Sequence, residues 1–341
     1  MLRIFDSPPA GLLDAEPDQL LALLGGPCLI ELPGRQEEPL FVSILLHGNE
    51  STGWFAVREL LRKHRNQTLP RALCLLIGNV AAAAQNLRRL DSQPDYNRIW
   101  PGSETAGAPE HAWMAEVTER MRRRGVFANI DVHNNTGLNP HYACINRLEP
   151  DFLHLATLFS RTVVYFTRPV GVQSLAFSKF CPSVTVEAGK PGDDAGVEHV
   201  LEFLESALHL TAFPQHPVPK RDIDLFHTMA TVTIPKTVRF HFASNQGRCG
   251  QDVQLCLDPE LERLNFREVD PGVSFGRVTA RADWPLQAQA EDGRDVTRDY
   301  FRIRGDDLQL ARSVMPSMLT LDERAIRQDC LCYLMERLRL N

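Results

Sequence analysis

Residues 40–50 read Leu-Phe-Val-Ser-Ile-Leu-Leu-His-Gly-Asn-Glu, an apolar run that ends in two side chains able to bind a metal. An apolar stretch as short as 40–46 has the pattern of a strand buried on both faces. Trp54, Val57, Leu60 and Leu61 follow at helical spacing within 51–65. A second buried-type strand, 72–77 (ALCLLI), closes on Gly78-Asn79. The pattern then recurs. A helix is expected over 110–124, with a basic end at Arg122, Arg123 and Arg124 and Gly125 at its C′ position. Strands are expected at 127–132, 162–166 and 183–187 (SVTVE), and helices at 151–160 and 195–210. Strands alternating with helices over this length predict an α/β fold with a mainly parallel or mixed sheet flanked by helices.

The stretch 211–220 (TAFPQHPVPK) carries three prolines and marks a domain boundary. One domain is expected over 1–213, with a short N-terminal extension at about 1–38. A smaller β-rich domain is expected over 220–341, from short runs such as 230–235 (ATVTIP) and 238–242 (VRFHF). It is expected to end in a helix over 322–340 and to cover the active site.

The whole chain has 341 residues and a formal net charge of −6, so no global basic field favours nucleic acid. No apolar run approaches the ~20 residues a bilayer span needs. The start of the chain, MLRIFDSPPAGLLDAEP, is broken by Pro and Asp before a leader's apolar segment could form, which points to a cytoplasmic protein. There are eight cysteines and no CxxC pair, the pattern of reduced thiols. Cys330 and Cys332 fall in the expected terminal helix, where their side chains diverge, so no cysteine zinc site is expected.

Chemistry concentrates at the strand exits. His47 and Glu50 stand three residues apart at a strand-to-helix turn, and open α/β sheets place their sites at that edge. Asp131-Val132-His133 closes the third strand, so His133 reaches the same edge, with Asp131 placed to support it. Two imidazoles and one carboxylate are zinc ligands of the catalytic kind, which leave a position open for water. Glu187 ends SVTVE ahead of a Gly-rich loop, as suits a general base. The loop after 79–90 carries Arg88, Arg89 and Asp95-Tyr96-Asn97-Arg98. Arginine forks bind carboxylates and stabilise oxyanions. His141 lies close enough in sequence to line the same cleft, but a plain loop histidine is the preferred reading. His64, His111, His154 and His199 read as structural or exposed. No GxxxxGK[ST] occurs.

HxxE, then Arg and DxNR, then DxH, then ExG, in that order, resembles the succinylglutamate desuccinylase/aspartoacylase family of the zinc carboxypeptidase superfamily. The resemblance covers about residues 40–210. It implies one zinc per chain on His47, Glu50 and His133, although such a set also takes other divalent ions. It further implies Glu187 as general base, Arg88 polarising the scissile carbonyl, and Asn97 with Arg98 holding the substrate carboxylate. Arg89 is the alternative to Arg88, because the loop between Arg88 and Asn97 is slightly long for the family. The segment NNTGLNPHYACI after His133 departs from what a dedicated succinylglutamate or acetylaspartate enzyme would carry, so the acyl group stays open. The implied activity is hydrolysis of an amide next to a carboxylate in a small N-acyl amino acid, with no nucleic-acid or membrane partner. The alternatives are a carboxypeptidase acting on peptide C-termini and a non-catalytic metal- or ligand-binding protein.

Overall fold

The computed structural model describes residues 2–105, 107–244, 249, 252–279 and 284–339. The chain divides into two compact units, Met1–Asn134 with His141–Leu225, and Asn135–Pro140 with Phe226–Arg339.

The first unit is a mixed sheet built from β1 (Arg3–Phe5), β2 (Cys28–Leu32), β3 (Gly34–Ile44), β4 (Leu69–Ile77), β5 (Ala128–His133), β6 (Tyr142–Ile145), β7 (Thr162–Tyr165) and β8 (Ser183–Glu187), in the order β1-β2-β4-β3-β5-β8-β6-β7. The central ladders β4-β3-β5-β8 are parallel. β2 is antiparallel to β4, and β6 antiparallel to β8. The expected sheet is therefore present. Residues 1–38 are more than an appendage, because β1, β2 and the start of β3 lie within the sheet.

The helices of this unit are α1 (Leu20–Leu24), α2 (Thr52–Lys63), α3 (Val80–Ala83), α4 (Glu110–Arg124), α5 (Pro150–Phe159), α6 (Gln173–Phe177) and α7 (Asp194–His209). In α2, Trp54, Val57, Leu60 and Leu61 are buried, as their spacing requires. α4 ends at Gly125 in the left-handed region, φ 65°, as its sequence signature anticipates. Phe41 of β3 stacks on Phe177 of α6 with ring centroids 4.7 Å apart, so α6 covers the face of the sheet that Phe41 occupies.

The second unit contains β9 (Asp224–Thr233), β10 (Phe240–Phe242), β11 (Leu255–Leu257), β12 (Ser274–Val278), β13 (Gln287–Ala290), β14 (Phe301–Arg304), β15 (Asp307–Leu310), β16 (Met315–Ser317) and β17 (Cys332–Arg337), with short helices α8 (Thr297–Tyr300) and α9 (Glu323–Gln328). A five-stranded sheet runs β10-β11-β12-β15-β14, while β17 lies between β9 and β16. Residues 135–140 join this unit: Thr136 Oγ1 bonds Thr320 Oγ1 at 2.8 Å, and Met318 N donates to Asn139 Oδ1 at 3.0 Å.

Two expectations are corrected here. The helix expected over 322–340 is α9 alone, capped by Asp322 and followed by strand β17; Leu340 lies outside the described residues. The ladder between β17 and β9 shifts register between Leu334 and Met335. The extra residue is Met229 of β9; in β17 itself the consecutive Leu334 and Met335 are both buried, so the run lacks the two-residue alternation by which a strand is recognised. The cysteines are also not all free thiols. Cys249 and Cys256 form a disulfide, closed where the chain returns from β10 into β11. The other six are free, five of them buried.

Candidate functional site

His47 and Glu50 follow β3 in a tight turn. Leu45 takes φ 54°, a conformation uncommon for a residue with a side chain, and its carbonyl accepts from Asn79 N at 2.6 Å. Gly48 N donates to the Arg88 carbonyl at 3.0 Å, tying the turn to the Arg-bearing loop. His133 is the last residue of β5, and Glu187 the last of β8.

His47, Glu50 and His133 are all buried, and their ligand atoms lie within 4.8 Å of one another. His47 Nδ1 is 2.8 Å from Glu50 Oε1, and His133 Nδ1 is 2.7 Å from Glu50 Oε2. The opposite ring nitrogens each meet a carboxylate. His47 Nε2 is 3.0 Å from Asp95 Oδ1, and His133 Nε2 is 2.9 Å from Asp131 Oδ2. An imidazole that donates its Nε2 proton to a carboxylate presents a bare Nδ1 to a cation, the usual arrangement around metal-binding histidines. The donor set therefore fits one divalent metal: two Nδ1 lone pairs and a carboxylate converge, with each ring held from behind.

Burial alone would raise the Glu50 carboxyl, but the His47 and His133 rings outweigh it and hold Glu50 ionised, well below the usual carboxylate range. Burial would likewise raise Asp95, yet His47 and then Arg88 pull it well down.

Arg88 is placed beside this cluster. Its Nη2 donates to Asp95 Oδ2 at 3.1 Å, and Nη1 lies 3.7 Å from Glu50 Oε1. Arg89 instead donates Nη1 to the Gln93 carbonyl at 3.0 Å. Glu187 is buried and is the Cα partner of His133 across the parallel ladder. Asn97 is buried too, and its amide is already engaged: Oδ1 accepts from Gln173 N at 2.9 Å, and Nδ2 lies 3.1 Å from His133 Nε2 and 3.4 Å from Asp131 Oδ2. Arg98 is half-buried and donates Nη1 to the Asn97 carbonyl at 2.8 Å.

Three other histidines have partners of their own. His64 meets Glu205 at 3.0 Å, His199 Nε2 donates to the Phe159 carbonyl at 2.7 Å, and His141 packs against His199 with ring centroids 4.8 Å apart. Sequence reading did not assign Asp95 to His47. The only signal was its place two residues before Asn97 in the DxNR motif.

Residues 39–193 match the profile of the succinylglutamate desuccinylase/aspartoacylase catalytic domain. Over this stretch the chain is similar to the catalytic domain of that family. The matched segment holds His47, Glu50, Arg88, Asn97, Arg98, His133 and Glu187.

Solved structures share the fold. The succinylglutamate desuccinylase from Chromobacterium violaceum has 16% identity and a TM-score of 0.57, over 90% of this chain and 86% of that one. Murine aminoacylase 3 has 16% identity and a TM-score of 0.56, over 90% of this chain and 97% of that one. The succinylglutamate desuccinylase/aspartoacylase from Rhodobacter sphaeroides has 15% identity and a TM-score of 0.57, over 90% and 88%. No curated protein matches the sequence. Among the described residues, no helix is long and apolar enough to cross a membrane.

Proposed function

We propose that this chain is a zinc-dependent hydrolase that cleaves an amide bond adjacent to a carboxylate, releasing the acyl group of an N-acyl amino acid. The observation that carries this reading is the convergence of His47 Nδ1, His133 Nδ1 and the Glu50 carboxylate within a segment that matches a desuccinylase/aspartoacylase catalytic domain.

When bound there, zinc would supply Lewis acidity, making a water more acidic and an amide carbonyl more electrophilic. The protein groups do the rest. Glu187, on the strand next to His133, accepts the proton of the attacking water and returns it to the leaving amine nitrogen. Arg88, already turned toward Glu50, donates to the carbonyl oxygen as negative charge develops on it. Removing an oxyanion donor of this kind costs roughly 10²–10³ in rate. Arg98 holds the substrate carboxylate with its fork, and Asn97 anchors the Arg98 segment through its contacts with Gln173 and Asp131.

The test is metal analysis of the purified protein joined to a hydrolysis screen of N-acyl amino acids and short peptides. One equivalent of zinc and release of a free amino acid from an N-acyl substrate are expected. Turnover of peptides alone would assign the chain to carboxypeptidase chemistry, and the absence of any bound metal would overturn the proposal.

A further inference from the structure

Beneath the cluster, a set of fully buried polar side chains occupies one face of the sheet. Ser43, Asn129, Asp131 and Ser183 share that face by strand register, since Ser43 pairs with Asp131, and Asn129 with Ser183. Gln173, the first residue of α6, closes over them. All five are 0% exposed. A polar network this deep in a sheet core costs stability unless every group is satisfied.

The hydrogens can be followed through it. Asn129 and Gln173 form a reciprocal amide pair: Asn129 Nδ2 donates to Gln173 Oε1 at 2.8 Å, and Gln173 Nε2 donates to Asn129 Oδ1 at 2.7 Å. The second Asn129 proton goes to Ser183 Oγ at 2.7 Å, whose own proton goes to the Ser174 carbonyl at 2.9 Å. The second Gln173 proton goes to Ser43 Oγ at 2.9 Å. Ser43 Oγ is thereby an acceptor on that side, so its single proton is directed at Asp131 Oδ1, 2.6 Å away. The main chain of Gln173 adds a second arm. Its N–H donates to Asn97 Oδ1, which leaves Asn97 Nδ2 beside both Asp131 Oδ2, at 3.4 Å, and His133 Nε2, at 3.1 Å. Gln173 therefore controls both oxygens of Asp131, one through Ser43 and one through Asn97. With donors directed at both oxygens, Asp131 is kept as an acceptor. The 2.9 Å contact from His133 Nε2 is then an N–H donating to the Asp131 carboxylate, which leaves Nδ1, on the Glu50 side, as the nitrogen that would face a bound cation.

We infer that Gln173 is a positioning residue of the metal centre, which through Ser43 and Asp131 fixes the tautomer and ring orientation of His133. The inference rests on the zinc-hydrolase reading and adds a residue far from the cluster in sequence. Supporting groups behind a metal ligand are worth about 10–100-fold in metal affinity.

The experiment measures zinc affinity by competition with a chromophoric chelator, for the parent chain, Gln173→Leu and Ser43→Ala, alongside thermal melts. Both variants are expected to bind zinc about 10–100-fold more weakly while remaining folded. Ser43→Ala removes one oxygen without enlarging the side chain, so it decides the matter alone if Gln173→Leu does not fold. A folded Ser43→Ala chain with zinc affinity within about twofold of the parent would overturn the inference and leave the hydrolase reading intact. A parent chain that takes up no zinc would overturn that reading and this inference with it.

Discussion

His133 and Glu187 face each other as Cα partners on adjacent parallel strands, so their side chains rise from the same face of the sheet at the same height. His133 is directed at Glu50, whereas Glu187 belongs to the next strand and is not one of the three clustered metal-competent groups. This separates binding from proton transfer. Glu187→Gln is expected to keep the fold and the metal and to lose about 10²–10⁴ in kcat, the usual share of a general base. Metal content and steady-state kinetics on the same preparation check it. Near-parental turnover would place the base elsewhere.

The metal itself is tested from both sides of His47. His47→Ala removes a ligand and should abolish both bound metal and activity. Asp95→Asn leaves a group that can still accept from Nε2 but withdraws the negative charge behind the ring, 3.0 Å away. Metal affinity is expected to fall about 10–100-fold without complete loss. Chelator competition on the two variants gives the ranking, and full occupancy in His47→Ala would refute the assignment.

Gly48 illustrates how tightly the turn is built. A Cβ at this position would collide with the backbone of Ala82 and Ala83, neither of which is the movable end of a side chain. Gly48→Ala must therefore push the His47–Glu50 turn away from α3, at a cost of about 1–3 kcal/mol or more in stability. Its metal affinity should fall as well, because His47 and Glu50 flank the displaced residue. A melting temperature and zinc affinity equal to the parent's would show that α3 can yield.

Much of this was legible because parallel strands covered on both faces read as unbroken apolar runs. His47, His133 and Glu187 could be placed at one edge from the residues that precede them. What stayed hidden depends on register and on distant loops. Asp95 reaches His47 only once the loop after α3 folds back, and no local pattern announces it. No local sequence pattern marks Asn129 or Ser183. Their meaning emerges when the ladder sets them side by side beneath Gln173. The family resemblance implies that Asn97 contacts the substrate with Arg98, yet its amide is engaged by Gln173, Asp131 and His133. The terminal strand is hidden because Leu334 and Met335 are consecutive apolar residues, both buried, which masks the alternation of a strand.

That reassignment of Asn97 sharpens the case for Arg98. With the Asn97 amide occupied, recognition of a substrate carboxylate falls to the Arg98 guanidinium, which is only half-buried. A guanidinium makes two parallel bonds to a carboxylate, and a lysine ammonium cannot reproduce that fork. Arg98→Lys is therefore expected to lower kcat/KM on an N-acyl amino acid by ~1.5–3 kcal/mol, the range for hydrogen bonds to charged groups. The same substitution should change little on the matching N-acyl amino amide, which never forms the ion pair. Kinetics on the acid and amide decide between recognition and architecture. An equal loss on both substrates would mean that Arg98 serves the loop, through its bond to the Asn97 carbonyl, and that the substrate carboxylate is held by another group.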